Sequence, residues 1–342
     1  MHEKEPEMNL KERVTIIAEA GVNHNGSLEI AKRLVDAAKE AGADVVKFQT
    51  ANASASITSN TKTAEYQNTN TGDTTQLSMI EKLELPFSDY IEIKKYCDQV
   101  GIIFATTFFD RVGGEFSLNN LHLPFCKVAS GEITNLPLLE MIGRSGLPVL
   151  LSTGMATLEE VQEAISILKT NGSNEIIVLH CTTEYPAPKR EVNLRAMVRM
   201  GNYFNLEYGY SDHTEGIEIP VAAVAMGARV IEKHLTLDRA MEGPDHKASL
   251  EPGEFKKMVL SIRNIEEALG SSKKAPTKAE QKNVDIVRKS IVAAKDISIG
   301  DVFTVENITT KRPGTGISPM RWYEVLGKKA NNNFKKDDLI TL

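Results

Sequence analysis

Eight short apolar runs, separated by longer amphipathic segments, are the feature that most constrains this chain of 342 residues. The runs are rich in β-branched and aromatic residues, which favour strands, and they occupy residues 14–18, 44–48, 102–106, 125–129, 148–152, 175–180, 206–210 and 228–234. The intervening segments carry helix signals, as in "SLEIAKRLVDAAKEAG" (27–42), which starts at Ser and ends at Gly. Strands that alternate with helices predict a parallel sheet, and eight of them in about 255 residues favour a (β/α)8 barrel.

The pattern also predicts the domain organisation. We expect a charged polar tail at 1–13, the (β/α)8 catalytic barrel at 14–270, a linker at 271–283 and a small β-rich domain at 284–342. A domain of about 60 residues is near the lower limit for independent stability, so we expect it to pack against something. The polar stretch 51–87 is too long for an ordinary strand-to-helix loop, and loops of this length are usually functional or disordered.

Charge and cysteine content narrow the class of protein. The chain has 40 basic and 46 acidic residues and a net charge of −6, so nucleic acid is not the expected partner. No run approaches the roughly 18 apolar residues that a membrane span needs, and the N-terminus lacks the apolar core of a signal peptide. Cys97, Cys126 and Cys181 show no C-x-x-C spacing, which predicts reduced thiols and a cytoplasmic location.

Polar side chains follow all eight predicted strands, at the end of the barrel where active sites are built. Helix capping explains one such end but not eight. The candidate residues are Glu19, Lys47, Gln49, Thr107, Lys127, Ser130, Glu132, Ser152, Ser211, His213, Glu232 and His234. We therefore expect a catalytic site at the carboxyl ends of the strands.

His213 and His234 end consecutive strands, which lie roughly 4.8 Å apart in a sheet. We favour a shared divalent metal over two histidines that are merely hydrogen-bonded in the core or in turns. Two protein ligands leave positions for water and substrate, as in a catalytic site. Imidazole with oxygen partners suits Mn²⁺, with Mg²⁺ or Co²⁺ as alternatives. Asp212, between strand residues of the other face, is expected to be a supporting or turn residue.

Lys47 and Lys127 interrupt apolar strands, where a lysine is costly to bury unless it meets an anion. We favour a shared phosphate or carboxylate; extension into water and a Schiff-base role are the alternatives. Glu19 and Glu132 are candidates for proton transfer or for binding sugar hydroxyls, although a charge at a helix N-terminus would also explain them. Cys181 follows His180, but adjacent strand residues face opposite sides, so we expect a buried structural thiol.

Nine motifs together resemble the sialic acid synthases over nearly the whole chain. They are "IAEAGVNHNGS", "VKFQT", "KVASGEITNLP", "LSTGM", "HCTTEYP", "GYSDHT", "IEKH", "GPDHKASLEP" and "TKRPGTGISP". The resemblance implies a (β/α)8 TIM barrel joined to an antifreeze-like (SAF) domain. It also implies condensation of phosphoenolpyruvate with an N-acetylmannosamine-type sugar, which gives a nine-carbon 2-keto acid and phosphate.

The resemblance assigns roles to the candidate residues. His213 and His234 would hold the metal that polarises the acceptor aldehyde. Phosphoenolpyruvate would be bound by Lys47, Thr107, Lys127, Ser130, Ser152 and Ser211. The sugar and the proton-transfer site would involve Glu19, Gln49, Glu132, Tyr185 and Asp245. Arg312 would come from the small domain of a partner chain in a domain-swapped homodimer and would contact the sugar.

The chain departs from the family pattern at two positions: Phe108 stands where we expect proline, and Thr183 stands where some relatives have asparagine. The motifs suit synthesis of N-acetylneuraminate or of its diacetamido 6-deoxy relative, legionaminate. Side chains of the insertion are expected to select between the two acceptors, and the candidates are Tyr66, Gln67, Asn70 and Gln76. A Schiff-base pyruvate aldolase using Lys47 or Lys127 is one alternative, and a non-catalytic carbohydrate- or ice-binding protein is another.

Overall fold

The computed structural model describes residues 13–342, which divide into two compact units. The first ends at Gly270 and the second spans Ser271–Leu342. The predicted polar tail lies outside the described residues except for Arg13. Among residues 13–342, no helix combines the length and the apolar character that crossing a membrane requires.

Eight parallel strands close into a barrel in the first unit, and β8 pairs with β1 to complete it. The strands are β1 Thr15–Gly21, β2 Val45–Thr50, β3 Ile103–Phe108, β4 Cys126–Val128, β5 Val149–Ser152, β6 Ile176–Cys181, β7 Tyr208–Asp212 and β8 Val230–His234. Each coincides with one of the eight apolar runs. The predicted (β/α)8 barrel is confirmed.

Helices surround the barrel and fill the insertion after β2. They are α1 Leu28–Ala41, α2 Ala53–Ser56, α3 Glu65–Thr71, α4 Gln76–Glu81, α5 Phe87–Val100, α6 Arg111–Asn120, α7 Leu136–Ser145, α8 Leu158–Asn171, α9 Leu194–Phe204, α10 Glu218–Ala225 and α11 Pro252–Leu269. Short 3-10 turns lie at Ser130–Glu132, Lys189–Glu191 and His246–Ala248. The sequence signals explain several helix ends. Ser27 caps α1 by accepting from the Ile30 amide, and Gly42 ends it at φ 86°.

Side chains of the strands alternate between two cores. The inner core, inside the barrel, consists of Ile17, Val45, Ala105, Phe125, Leu150, Ile177, Leu179 and Val230. The outer core packs the other face of the strands against the helices, as Ile16, Val46 and Ile231 do. Because the strand period is two residues, a residue two positions after an inner apolar side chain also faces inward, one layer nearer the mouth.

The insertion after β2 is an ordered element bound together by its own hydrogen bonds. The backbone carbonyl of Asp73 accepts from the Thr63 hydroxyl at 2.8 Å and from the Asn68 amide at 2.9 Å. Lys82 forms an ion pair with the Asp73 carboxylate at 2.6 Å. These contacts hold α3 and α4 in place, so the stretch is not an unstructured loop.

The second unit has its own small core, which includes Ile291, Phe303 and Phe334. Its strands are β9 Ser290–Ala293 and β10 Ile308–Lys311, which pair antiparallel, and it contains α12 Lys278–Val287 and α13 Trp322–Val325 with a 3-10 turn at Pro319–Arg321. Helix α12 lies largely where the sequence predicts a linker. It begins at a capping box in which Thr277 and Glu280 each accept from the other's backbone amide, a T-x-x-E signal that the high Lys content obscures.

Candidate active site

A polar cavity opens at the carboxyl ends of the barrel strands. The predicted site residues that line it are Glu19, Lys47, Gln49, Thr107, Lys127, Ser130, Ser152, Tyr185, Ser211, His213, His234 and Asp245. Strand alternation explains the convergence of the charged ones. Each stands two positions after an inner apolar residue: Glu19 after Ile17, Lys47 after Val45, Lys127 after Phe125 and Glu232 after Val230. The cavity therefore lies directly above the apolar layer of the barrel.

Four buried charged residues, Glu19, Lys47, Lys127 and Glu232, form what we call the cavity cluster. The Lys47 ammonium lies 2.6 Å from a Glu19 oxygen and 3.7 Å from Glu232, while Lys127 lies 3.4 Å from Glu232. Lys47 also donates to the Thr107 hydroxyl at 2.8 Å. Both lysines thus approach one anion, the Glu232 carboxylate, as expected of side chains that share a negatively charged partner.

The cavity cluster shifts the pKa values of its members. Burial raises the pKa of Glu19, although the neighbouring Lys47 opposes it. Burial alone would lower the pKa of Lys47, but Glu19 and Glu232 outweigh it and the net shift is upward. For Glu232, burial is opposed by Lys127 and Lys47, which together lower the pKa to about 2. The cluster therefore keeps Lys47 protonated and Glu232 ionised near neutral pH.

His213 and His234 face each other across the cavity, with ring centroids 5.6 Å apart. His213 Nδ1 contacts the Thr182 carbonyl at 2.6 Å, and because a carbonyl only accepts, this nitrogen carries the hydrogen and Nε2 keeps its lone pair. His234 Nδ1 is buried and has no hydrogen-bond partner among the described residues. Burial lowers the pKa of both imidazoles, so they are in the neutral form that binds metals.

The two histidines fit a divalent cation. Such an ion needs nitrogen lone pairs, and the structure offers two: the buried, unpartnered Nδ1 of His234 and the Nε2 of His213. An Asp245 oxygen lies 4.0 Å from His234 Nδ1. Within residues 13–342, no group of three or more His, Cys, Asp or Glu side chains is arranged as a complete metal cage. The two histidines alone would leave positions on such an ion for substrate and water.

Tyr185 links the histidines to the insertion. Its ring centroid lies 4.1 Å from His213 and 5.1 Å from Tyr66 of α3. Gln67 of α3 and Ile80 of α4 line the cavity beside it, so two of the four insertion residues expected to touch the acceptor, Tyr66 and Gln67, do reach the cavity.

Asp245 also lines this part of the cavity. Burial raises the pKa of its carboxyl group to about 7, and the nearby Glu19 acts in the same direction.

Two predicted site residues lie elsewhere. Glu132 is in the 3-10 turn after β4 and is not among the side chains that line the cavity; its carboxylate accepts from Asn135 at 2.6 Å. Strand alternation does not extend into this turn, which is why the strand pattern misplaced the side chain. Arg312 belongs to the second unit, where its Nε donates to the Val287 carbonyl at 3.0 Å. Their catalytic roles remain predictions.

The structure adds cavity residues to which the sequence reading gave no role. Glu232 is the most important: its position at the end of a strand made it a candidate, but only the structure shows it as the carboxylate that both lysines approach. Cys181 is buried, as expected, but it also lines the cavity, with its sulfur 3.1 Å from the Ser130 hydroxyl. His180 faces away and contacts the Val192 carbonyl at 2.7 Å, which confirms that it does not activate this thiol.

The two departures from the family pattern lie on different faces of the barrel. Phe108 ends β3 with its ring in the outer core, so it does not enter the cavity. Thr183 lines the cavity, and its buried hydroxyl has no hydrogen-bond partner among the described residues. The change at 183 therefore alters the cavity surface directly, and the change at 108 does not.

Comparisons with known proteins agree with this geometry. Residues 34–274 match the model of the NeuB family, and residues 288–342 match the SAF domain. The chain is 52% identical to N,N'-diacetyllegionaminic acid synthase of Campylobacter jejuni over 96% of this chain and 99% of that protein. It is 44% identical to the enzyme of the same name from Legionella pneumophila, over 93% and 90% of the two chains.

A solved structure shows the same fold. The N-acetylneuraminic acid synthetase of Leptospira borgpetersenii, in complex with citrate, is 36% identical and has a TM-score of 0.70, with 80% of this chain and 90% of that chain covered. The matches span both the barrel and the small domain, in the order that the sequence motifs predict. The chain belongs to the NeuB family and carries a C-terminal SAF domain.

Proposed function

We propose that this enzyme condenses phosphoenolpyruvate with 2,4-diacetamido-2,4,6-trideoxymannose to give N,N'-diacetyllegionaminate and phosphate. The observation that carries the proposal is that the floor lysines Lys47 and Lys127, the two cations of the cavity cluster, meet the neutral pair His213 and His234 in one cavity. The two lysines suit a doubly anionic substrate, and the two histidines suit an aldehyde acceptor. Full-length similarity to two legionaminate synthases supports this acceptor over N-acetylmannosamine, which would give N-acetylneuraminate by the same chemistry.

Phosphoenolpyruvate binds at the floor in this proposal. Lys47, Lys127 and the hydroxyls of Thr107, Ser130, Ser152 and Ser211 surround one region of the cavity. The Ser152 hydroxyl is buried and has no hydrogen-bond partner among the described residues, so an anionic oxygen would satisfy it. A buried donor kept ready in this way is the preorganisation that binding of a phosphate or carboxylate requires.

His213 and His234 hold a divalent cation in this proposal, and we expect Mn²⁺, with Mg²⁺ or Co²⁺ as alternatives. Bound there, the ion supplies Lewis-acid polarisation of the acceptor's aldehyde oxygen. The protein keeps both imidazoles neutral through burial and sets the His213 tautomer through the Thr182 carbonyl.

The remaining chemistry uses the cavity cluster. C3 of phosphoenolpyruvate forms the new bond to the aldehyde carbon. The π electrons of the aldehyde move to its oxygen, which takes up a proton from water, and positive charge develops at C2. The carboxyl groups of Glu19 and Glu232 lie beside the lysines that bind the substrate, and the ionised Glu232 stabilises this charge. Water then adds at C2, and we assign to Glu19 the first proton that it loses. The C2 hydroxyl gives its remaining proton to the phosphate as this group leaves by C–O cleavage, and C2 becomes the keto carbon.

The state of Lys47 disfavours the Schiff-base alternative. A lysine nucleophile must lose its proton, and enzymes achieve this by lowering the pKa of the amine. Here the two carboxylates raise the pKa of Lys47. Borohydride trapping with pyruvate should therefore leave Lys47 unmodified, and mass spectrometry of the trapped protein tests Lys127 at the same time.

We also propose that the protein works in the cytoplasm as a domain-swapped homodimer in which Arg312 of one chain contacts the sugar in the partner's barrel. The family resemblance supports this arrangement. Mixed dimers test it: Lys47→Met chains and Arg312→Ala chains, each inactive alone, should regain activity when unfolded and refolded together. If Arg312 acts within its own chain, the mixture should stay inactive.

The main test is phosphate release from phosphoenolpyruvate with each sugar in turn. We expect release with the diacetamido sugar, its loss after EDTA treatment and its recovery with Mn²⁺. The His213→Ala variant should keep the circular dichroism and melting behaviour of a folded protein but lose metal-dependent turnover and Mn²⁺ binding. No release with either sugar in the presence of metal would overturn the proposal, and unchanged activity of His213→Ala would overturn the metal assignment.

A further inference from the structure

The insertion presents three side chains to the cavity, Tyr66 and Gln67 from α3 and Ile80 from α4. We call these residues the insertion wall. On the basis of the proposed function, we propose that the insertion wall selects the acceptor sugar by its distal half, recognising a 6-methyl group and a 4-acetamido group. His213 and His234, by contrast, meet the aldehyde group that every acceptor of this reaction shares.

The position of the wall follows from the aromatic contacts. The acceptor aldehyde must lie at His213 and His234, at the bottom of the cavity. Tyr185 packs on His213, and Tyr66 packs on Tyr185, so the wall begins one ring farther from the reacting carbon. A hexose whose C1 is at the histidines directs C4 to C6 away from the floor, and that end of the sugar meets the insertion.

The chemistry of the wall matches a deoxygenated and acylated sugar. Ile80 and the ring of Tyr66 offer an apolar surface. A methyl group can pack on it without giving up hydrogen bonds, whereas a hydroxymethyl group would lose its hydrogen bonds to water there. Gln67 Oε1 already accepts from the Ala64 amide at 3.0 Å. Its Nε2 also contacts the Tyr66 hydroxyl, which uses one of its two hydrogens. The second hydrogen is left to donate, and an acetamido carbonyl is a suitable acceptor.

The wall is also rigid enough to discriminate. Asn70 of α3 donates to the Pro244 carbonyl at 2.8 Å, which ties the insertion to the loop that carries Asp245. Next to Ile80 in α4, Met79 is 1% exposed and anchors that helix. The contacts to Asp73 described above join the two helices. Because both helices of the insertion are anchored in this way, the side chains of the insertion wall cannot move aside for the wrong sugar without a cost in free energy.

The test compares two acceptors in the holoenzyme with Mn²⁺. Wild type, Ile80→Thr and Gln67→Met are assayed for phosphate release with the diacetamido trideoxy sugar and with N-acetylmannosamine. Threonine keeps the branched shape at 80 and adds a hydroxyl. Methionine keeps the length at 67 and removes the donor, together with the oxygen that accepts from the Ala64 amide. We expect each change to shift the ratio of the two kcat/KM values toward N-acetylmannosamine by about tenfold or more, with the KM for phosphoenolpyruvate unchanged.

Ile57→Thr is the matched control, because Ile57 lies in the same insertion, is partly buried and does not line the cavity. It should keep the wild-type ratio. If Ile80→Thr and Gln67→Met also keep that ratio while wild type uses the diacetamido sugar, the inference fails and the proposed function stands. If wild type releases phosphate with neither sugar, the proposed function fails first. If the variants change kcat/KM by the same factor for both sugars, selection by the insertion wall is also overturned.

Discussion

Two buried sets of opposite charges occupy the same end of the barrel but opposite faces of its strands. The cavity cluster of Glu19, Lys47, Lys127 and Glu232 faces inward. The second set, which we call the outward pair, is Asp212 of β7 and Lys233 of β8; both side chains are 0% exposed, and their charged atoms lie 2.5 Å apart. Asp212 is adjacent to Ser211 and His213, which line the cavity, and Lys233 lies between Glu232 and His234.

The difference lies in what each set of charges can bind. The outward pair is enclosed by protein: Asp212 also accepts from the amide and hydroxyl of Thr214, and Lys233 also donates to the Thr214 carbonyl. The cavity cluster borders open space, where water or substrate can replace a partner. The buried charges of the cavity cluster can therefore take part in chemistry, while those of the outward pair only stabilise the local structure. Because successive strand side chains point to opposite faces, neighbouring residues fall into different sets.

Replacement of Lys47 by methionine should produce the largest loss of activity. It removes the charge and the donor that we assign to substrate binding, and it leaves Glu19 and Glu232 to repel an incoming anion. We expect kcat/KM for phosphoenolpyruvate to fall by about 10³-fold or more, measured by phosphate release. Lys95→Met, a change at an exposed lysine of α5, should keep wild-type kinetics. A decrease below tenfold in Lys47→Met would contradict the assigned role.

Replacement of Asp212 by asparagine should act on stability instead. It removes the counter-ion of Lys233, an amine whose pKa burial already lowers, so the folded state must either keep an unpaired buried charge or release the proton. Breaking a buried pair in this way costs about 3 kcal/mol or more. Urea unfolding should show this decrease in the free energy of unfolding, while the protein that remains folded at low denaturant still releases phosphate.

The double variant Asp212→Asn/Lys233→Met is the control for this prediction. It removes both charges and keeps an acceptor for the Thr214 amide, but the buried Thr214 carbonyl loses its Lys233 donor. Its free energy of unfolding should therefore recover to within about 1–3 kcal/mol of wild type, above that of the single variant. If the single and double variants are equally destabilised, the loss comes from something other than the unpaired charge. The comparison between the two faces would then need another explanation.

Replacement of Ser211 by alanine should have the smallest effect. Ser211 donates to Glu232 at 3.0 Å and lines the cavity, but Lys47 and Lys127 continue to neutralise that carboxylate. We expect the KM for phosphoenolpyruvate to rise by about tenfold, which corresponds to one hydrogen bond, with the melting temperature nearly unchanged. A large decrease in melting temperature would mean that Ser211 supports the fold in the same way as its neighbour Asp212.

The strand pattern was sufficient to predict most of the site. Once Val45 and Ile17 are assigned to the inner face, Lys47 and Glu19 must face inward too, because the side-chain period of a strand is two residues. The same rule assigns His180 and Asp212 to the outer face. It fails where the strand ends: Glu132 lies in a 3-10 turn and contacts Asn135, a direction that no periodicity in the sequence encodes.

The sequence by itself determined the barrel, the inward direction of its charged side chains and the resemblance that marks the family, because each of these depends on local periodicity or on short motifs. Only the tertiary structure showed that Glu232 is the anion between Lys47 and Lys127, that Asp212 and Lys233 form a closed pair, and that Tyr66, Gln67 and Ile80 reach the cavity. These contacts join residues far apart in the chain. Their distances depend on how the barrel closes and how the insertion folds back over it, which no local pattern specifies.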